Sequence, residues 1–201
     1  MEIVLKYGLL FIAYLIGAIP FSVILGTKIK GIDIRQHGSG NPGGTNALRF
    51  LGKHVGILII LLDGLKGGLL VLLLMHTNFL GGYDLLHPLA YGVAAAIGHA
   101  FPVYLKFKGG KAVACTVGIA IGYNVLFAFI MFLGFMLVLK LWKYVSLAST
   151  AAAVTAVLIA LVVQDYQMLL YFGLLMLLIM FRHKKNYHNI SQGIEPKVSW
   201  I

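Results

Sequence analysis

Long uncharged runs constrain this chain more than any other feature. Tyr7 to Thr27, Leu85 to Leu105, Ala112 to Leu139, Tyr144 to Gln164 and Tyr166 to Phe181 carry no charged side chain, and His54 to Leu80 carries only Asp63 and Lys66. A helix needs about 20 residues to cross the ~30 Å hydrocarbon core of a bilayer. Lipid solvates apolar surface and requires only that backbone groups pair internally. Hydrophobic residues make up 60% of the chain and charged residues 11%, against roughly 45–50% and 25% in soluble domains. A soluble core cannot absorb that surplus. The expected fold class is all-α, a polytopic membrane helical bundle, read as a single domain over residues 1–201.

Ala112 to Leu139 is too long for one comfortable crossing, since at ~1.5 Å per residue it would make a helix of about 42 Å. Gly122-Tyr123-Asn124 interrupts it and offers a turn. A hairpin there, with the N-terminus outside, puts 14 of the 16 Lys and Arg in cytosolic segments. Glu2, Asp84 and Asp165 then fall outside. A single crossing would instead export Lys140, Lys143 and the basic tail, against the positive-inside rule. About seven transmembrane helices are expected, two of them short, with the C-terminus cytosolic. The first run follows only Lys6 and exceeds a usual h-region, so it reads as a retained helix and not a signal peptide.

Three loops on the cytosolic side carry the chemistry. The first, His37 to Arg49, holds Gly38, Gly40, Gly43 and Gly44 among Ser39, Asn41, Thr45 and Asn46. Glycine-rich backbone of this kind converges N–H groups on an anion, and Arg49 adds a fork suited to phosphate oxygens. Gly38, Gly40 and Gly43 formally match G-x-G-x-x-G, but no strand precedes them, so this is not a dinucleotide fingerprint. A plain glycine-rich turn is the alternative. The second loop, Lys106-Phe107-Lys108-Gly109-Gly110-Lys111, sets Lys108 and Lys111 to flank an anion, with Gly109 and Gly110 permitting close approach. It does not complete a P-loop. A solvated loop obeying the charge rule is its plainer reading.

Asp63 and Lys66 share a helix face inside the second span, where each charge costs ~2.5–3.5 kcal/mol. They pair to hold helices together or stand behind the loop cations. His99 reads as a packed polar residue in an apolar helix. The tail opens with Arg182 and His183, continues through Asn186 and Gly193, and reaches Glu195. Its cations suit anionic headgroups, and a histidine there suits proton transfer or phosphate contact.

The cations behind the net charge of +10 sit between apolar spans, so no nucleic-acid partner is expected. The single cysteine, Cys115, excludes an internal disulfide framework and a Cys-rich metal site. No metal and no cofactor are expected. A transporter for a phosphorylated solute would also want basic cytosolic loops, though such sites usually lie at the midplane between repeats. A lipid-binding scaffold would need no paired glycines.

Taken together and in this order, the three loops resemble those of the bacterial acyl-phosphate-dependent glycerol-3-phosphate acyltransferases, the PlsY-type membrane family, over nearly the whole chain. Gly38 to Asn41 through Thr45, Asn46 and Arg49 resembles the family's first motif. Phe107 to Lys111 resembles the second, and Arg182, His183, Asn186, Gly193 and Glu195 the third. Gly44 stands where Ala is usual, Cys115 where Thr is common and Asn189 where Arg is frequent. The resemblance implies acyl transfer from acyl phosphate to the 1-hydroxyl of glycerol 3-phosphate, as the first step of bacterial phospholipid synthesis. That implies a multi-pass protein of the cytoplasmic membrane with its active site on the cytosolic face. Both substrates carry phosphate and one carries an acyl tail, which suits anion-binding loops at the mouth of an apolar bundle. The expected phosphate-binding set is Ser39, Asn41, Thr45, Asn46, Arg49, Lys108, Gly109, Gly110, Lys111, His183 and Asn186, with Asp63, Lys66, Arg182 and Glu195 in support. His183 or a substrate phosphate takes the proton.

Overall fold

The computed structural model of the chain describes residues 2–198, and every regular element among them is helical. The chain forms two compact units that meet in sequence between Tyr123 and Asn124, within the interruption read from Gly122-Tyr123-Asn124.

The first unit holds α1 (Glu2–Gly17), α2 (Phe21–Lys30), α3 (Gly44–Phe50), α4 (Lys53–His76), α5 (Pro88–Ala100) and α6 (Val113–Tyr123). The first apolar run, read as one helix, is divided at Ala18-Ile19-Pro20. Pro20 pushes the residue before it out of the helical region, so the Ile19 carbonyl leaves the α1 ladder. The contacts between helices rest on glycines. Gly64 and Gly68 of α4 meet Gly118 and Gly122 of α6, where a Cβ on Gly68 or Gly118 would overlap the opposing backbone. Two helices approach this closely in lipid only through small residues four apart. Gly17 against Ala95, and Gly98 against Tyr14 and Ala18, do the same for α1 and α5. On α4, Leu61, Leu65, Leu69 and Leu72 are exposed while Asp63 and Lys66 are buried. Apolar outside and charged inside is the inverse of a soluble helix and suits a lipid surround.

The second unit holds α7 (Val125–Trp142), α8 (Val145–Val162), α9 (Tyr166–Arg182) and α10 (Lys184–Ser191). Asn124 caps α7 by accepting from the Phe127 amide at 3.0 Å, and Asp165 caps α9 by accepting from Met168 at 2.9 Å. Ala148, Ala152, Ala156 and Ala160, four apart, form the buried stripe of α8. Phe127 and Phe172 join α7 to α9 edge to face at 4.7 Å. The Val198 amide donates to the Lys143 carbonyl at 2.9 Å, tying the end of the described chain to the α7–α8 turn.

Among the described residues, five helical stretches are long and apolar enough to cross a membrane: Glu2–Lys30, Lys53–His76, Pro88–Leu105, Val125–Trp142 and Val145–Val162. The pair Tyr166–Arg182 and Lys184–Ser191, bent by 51°, makes a sixth, and Val113–Tyr123 is a shorter apolar helix. The all-helical, multi-span bundle follows the expectation with five to six apolar spans among the described residues; of the two halves of the interrupted run, Val113–Tyr123 is short and Val125–Trp142 is full length.

Candidate functional site

Asn46 builds the first loop. Buried at the start of α3, it donates through Nδ2 to the carbonyls of Ile34 at 3.2 Å and His37 at 2.9 Å, and its Oδ1 accepts from the Ser39 amide at 3.3 Å. The side chain expected to touch a ligand thus closes the loop on itself. Other loop amides are also engaged: Gly40 donates to His37, Gly43 to Asn41, and Asn41 to the Ser39 hydroxyl at 3.4 Å. The backbone nest expected here is therefore largely taken up by the fold. What the loop offers outward is side chains. Ser39 is exposed, as are Thr45 and Arg49, which lie four apart on one face of α3. Upstream, Arg35 grips Asp33 with two short bonds, 2.9 Å from Nε to Oδ1 and 2.6 Å from the terminal guanidinium nitrogen to Oδ2. Those bonds hold the Asp33 carboxyl below its usual range, so the clasp is charged at neutral pH.

The second loop is fastened to the end of α5. Gly109 donates to Ala100 at 3.2 Å and Gly110 to His99 at 3.0 Å, so these amides close the helix end instead of cradling an anion. Both glycines are needed for space. A Cβ on Gly109 would run into the His99 and Ala100 carbonyls and the Pro102 ring, and one on Gly110 would overlap the His99 imidazole. Lys108, which follows left-handed Lys106 and Phe107, is exposed and Lys111 is half-buried.

Beneath this loop lies a buried polar cluster. Lys66 Nζ is 2.7 Å from Asp63 Oδ1 and donates to the Ile19 carbonyl at 2.7 Å. It also lies 5.4 Å over the Phe21 ring. His99 Nδ1 is 3.5 Å from the same Asp63 oxygen, and the Cys115 thiol donates to the Asp63 carbonyl at 3.1 Å. The helix break at Pro20 thereby supplies the acceptor that a cation buried in lipid requires. A narrow cleft opens here, lined by Pro42 of the first loop, Gly109 and Gly110 of the second, Asp63, Lys66 and His99, and the Ala18 to Pro20 break. Pro42 and Gly109, 67 positions apart in sequence, so meet over one polar floor.

In the second unit, His183 is buried where α9 bends into α10, and its Nδ1 donates to the Ile179 carbonyl at 2.8 Å. A carbonyl only accepts, so Nδ1 carries the hydrogen and Nε2 of the neutral ring carries the lone pair. Asn186 donates to Glu195 Oε1 at 2.6 Å, Asn189 to Oε2 at 3.3 Å and Ser146 to Oε1 at 3.3 Å. Glu195 is thus the hub that holds α10 against α8. Asn189, noted for not being Arg, has a local task, since its carbonyl also accepts from the Ile194 and Glu195 amides. Arg182 ends α9 half-buried.

Sequence reasoning missed His99 as a member of the cluster, the Ile19 carbonyl, and the polar side chains of α8. Pro20 was the available signal for the second. Among the described residues there is no group of His, Cys, Asp and Glu able to hold a metal ion.

A family profile described as glycerol-3-phosphate acyltransferase matches residues 7–193. Glycerol-3-phosphate acyltransferases of Staphylococcus aureus strains Newman and JH9 are each 41% identical over 197 residues, covering 96% of this chain and 98% of theirs. The crystal structure of PlsY in its glycerol 3-phosphate form is similar with a TM-score of 0.87 at 35% identity, covering 96% of both chains. Its lysophosphatidic acid form has a TM-score of 0.85 at 34% identity, over 96% of this chain and 95% of that one. With its glycine-bearing basic loops on a charged floor between lipid-facing helices, the chain belongs to the PlsY-type integral membrane glycerol-3-phosphate acyltransferases.

Proposed function

We propose that this acyltransferase takes its fatty acyl group from acyl phosphate. It transfers that group to the 1-hydroxyl of glycerol 3-phosphate, giving 1-acylglycerol 3-phosphate and inorganic phosphate, on the cytosolic face of the bacterial cytoplasmic membrane. The observation that carries this reading is the convergence of both cationic glycine loops on the cleft floored by Asp63, Lys66 and His99. Forms of PlsY holding glycerol 3-phosphate and lysophosphatidic acid support the acceptor and the product.

Ser39, Asn41, Thr45 and Arg49, with Lys108 and Lys111, hold the two phosphates. Charge-assisted bonds contribute about 1.5–3 kcal/mol each, and those that tighten as charge grows on the acyl carbonyl and the departing phosphate raise the rate. Asn186 and His183, through Nε2, orient the glycerol hydroxyl. Its oxygen attacks the acyl carbon, the bond to phosphate breaks, and the hydroxyl proton passes to a phosphate oxygen, whose second pKa is about 6. Asp63 and Lys66 fix the floor on which the second loop stands.

Purified protein in detergent, given palmitoyl phosphate and labelled glycerol 3-phosphate, is expected to form acylated product with no thioester present. Product appearing only with an acyl thioester would reject the donor. His183→Gln is expected to lower turnover while leaving the pH profile in place. Loss of the acidic limb would instead make the imidazole the base.

A further inference from the structure

The polar face of α8 lies next to the third motif and has no part in the scheme above. Ser146 and Thr150, four residues apart, sit on one side of this alanine-rich helix. Ser146 reaches Glu195, which in turn holds Asn186. Thr150 Oγ1 lies 2.6 Å from the Tyr187 hydroxyl. Because the Thr150 hydroxyl donates to the Ser146 carbonyl at 3.1 Å, the Tyr187 hydroxyl is the donor to Thr150. The Tyr187 ring stacks on the His183 imidazole, with centroids 6.2 Å apart and planes 28° apart.

His183 is therefore held from two directions. Ile179 fixes its tautomer through Nδ1, and the Tyr187 ring limits rotation about χ2, which is otherwise broad for histidine. That ring is itself fixed only if its far end is tied. A half-buried hydroxyl also needs a partner, because an unmade bond there is expensive. Thr150 supplies both.

We propose that Tyr187 and Thr150 are positioning residues for glycerol 3-phosphate. Their hydrogen bond anchors α10 to α8 and, through the stacked ring, sets the imidazole plane of His183. This rests on the reading of His183 and Asn186 as the groups that orient the glycerol hydroxyl.

Steady-state kinetics on the purified full chain test it, with Tyr187→Phe, Thr150→Val, the double variant and Thr150→Ser compared with His183→Gln. Losing one net hydrogen bond corresponds to about a five-fold effect. Tyr187→Phe and Thr150→Val are each expected to lower kcat/KM for glycerol 3-phosphate by about that factor, with the KM for palmitoyl phosphate unchanged. The double variant is expected to be no worse than either single one, and Thr150→Ser, which keeps the hydroxyl, to approach the unaltered protein. Unaltered kcat/KM in both single variants, or losses that multiply in the double variant, would overturn the proposal. If His183→Gln is itself indistinguishable from the unaltered protein, the orienting role of His183 fails first. A defective His183→Gln beside a normal Tyr187→Phe defeats only the present inference.

Discussion

Gly110 has no room for a methyl group, because a Cβ there would overlap the His99 ring. Gly110→Ala is therefore expected to cost about 1–3 kcal/mol through overpacking. It would also displace Lys108 and Lys111, raising KM for the phosphate substrates; unchanged unfolding temperature and KM would contradict the packing. Arg49 is exposed on α3 and is assigned a fork-like contact to phosphate. Arg49→Lys keeps the charge and loses the fork. At about 1.5–3 kcal/mol for a charge-assisted bond, its KM for a phosphate substrate is expected to rise ten-fold or more. A KM within two-fold of the unaltered protein would remove Arg49 from the site. Residue types told much at this scale, since cations and hydroxyls beside glycines point to phosphate. The partners of the backbone were not legible. Nothing in Lys106 to Lys111 says that the glycine amides close α5, because that depends on where the His99 and Ala100 carbonyls come to lie.

At the scale of elements, the α1–α2 break, α4 and α5 are joined by Lys66 bonded to Ile19 and paired with Asp63, and by His99 against the same carboxylate. Removing one partner of a buried pair typically costs 3–5 kcal/mol, because the other charge is stranded, whereas replacing both with apolar groups is often close to neutral. Asp63→Asn and Lys66→Met are each expected to lower the unfolding temperature in detergent strongly, and the double variant to lose less than the sum. Additive losses would contradict direct pairing. The spans were readable because charge is so costly in lipid that its absence marks them. Hydropathy alone does not reveal the break at Pro20 or the Gly64/Gly68 and Gly118/Gly122 contacts. Glycine in an apolar run has no period in hydropathy, and its meaning appears only when a second helix is laid against it.

For the whole molecule, positive charge sets orientation, and the proposed sidedness follows from the charge asymmetry of the loops. With Cys115 replaced by serine, single cysteines at Asp84 and Asp165 are expected to react with an impermeant reagent from outside. Cysteines at Lys140 and Lys185 are expected to react only after the membrane is opened. Labelling of position 185 in intact cells would reverse the tail. The fate of the donor's phosphate distinguishes acyl phosphate from any other acyl donor. With palmitoyl phosphate labelled in the phosphoryl group, one inorganic phosphate is expected for each molecule of 1-acylglycerol 3-phosphate formed, and none above background when glycerol 3-phosphate is withheld. Acylated product without matching phosphate release, or release that does not depend on glycerol 3-phosphate, would contradict acyl phosphate as the donor.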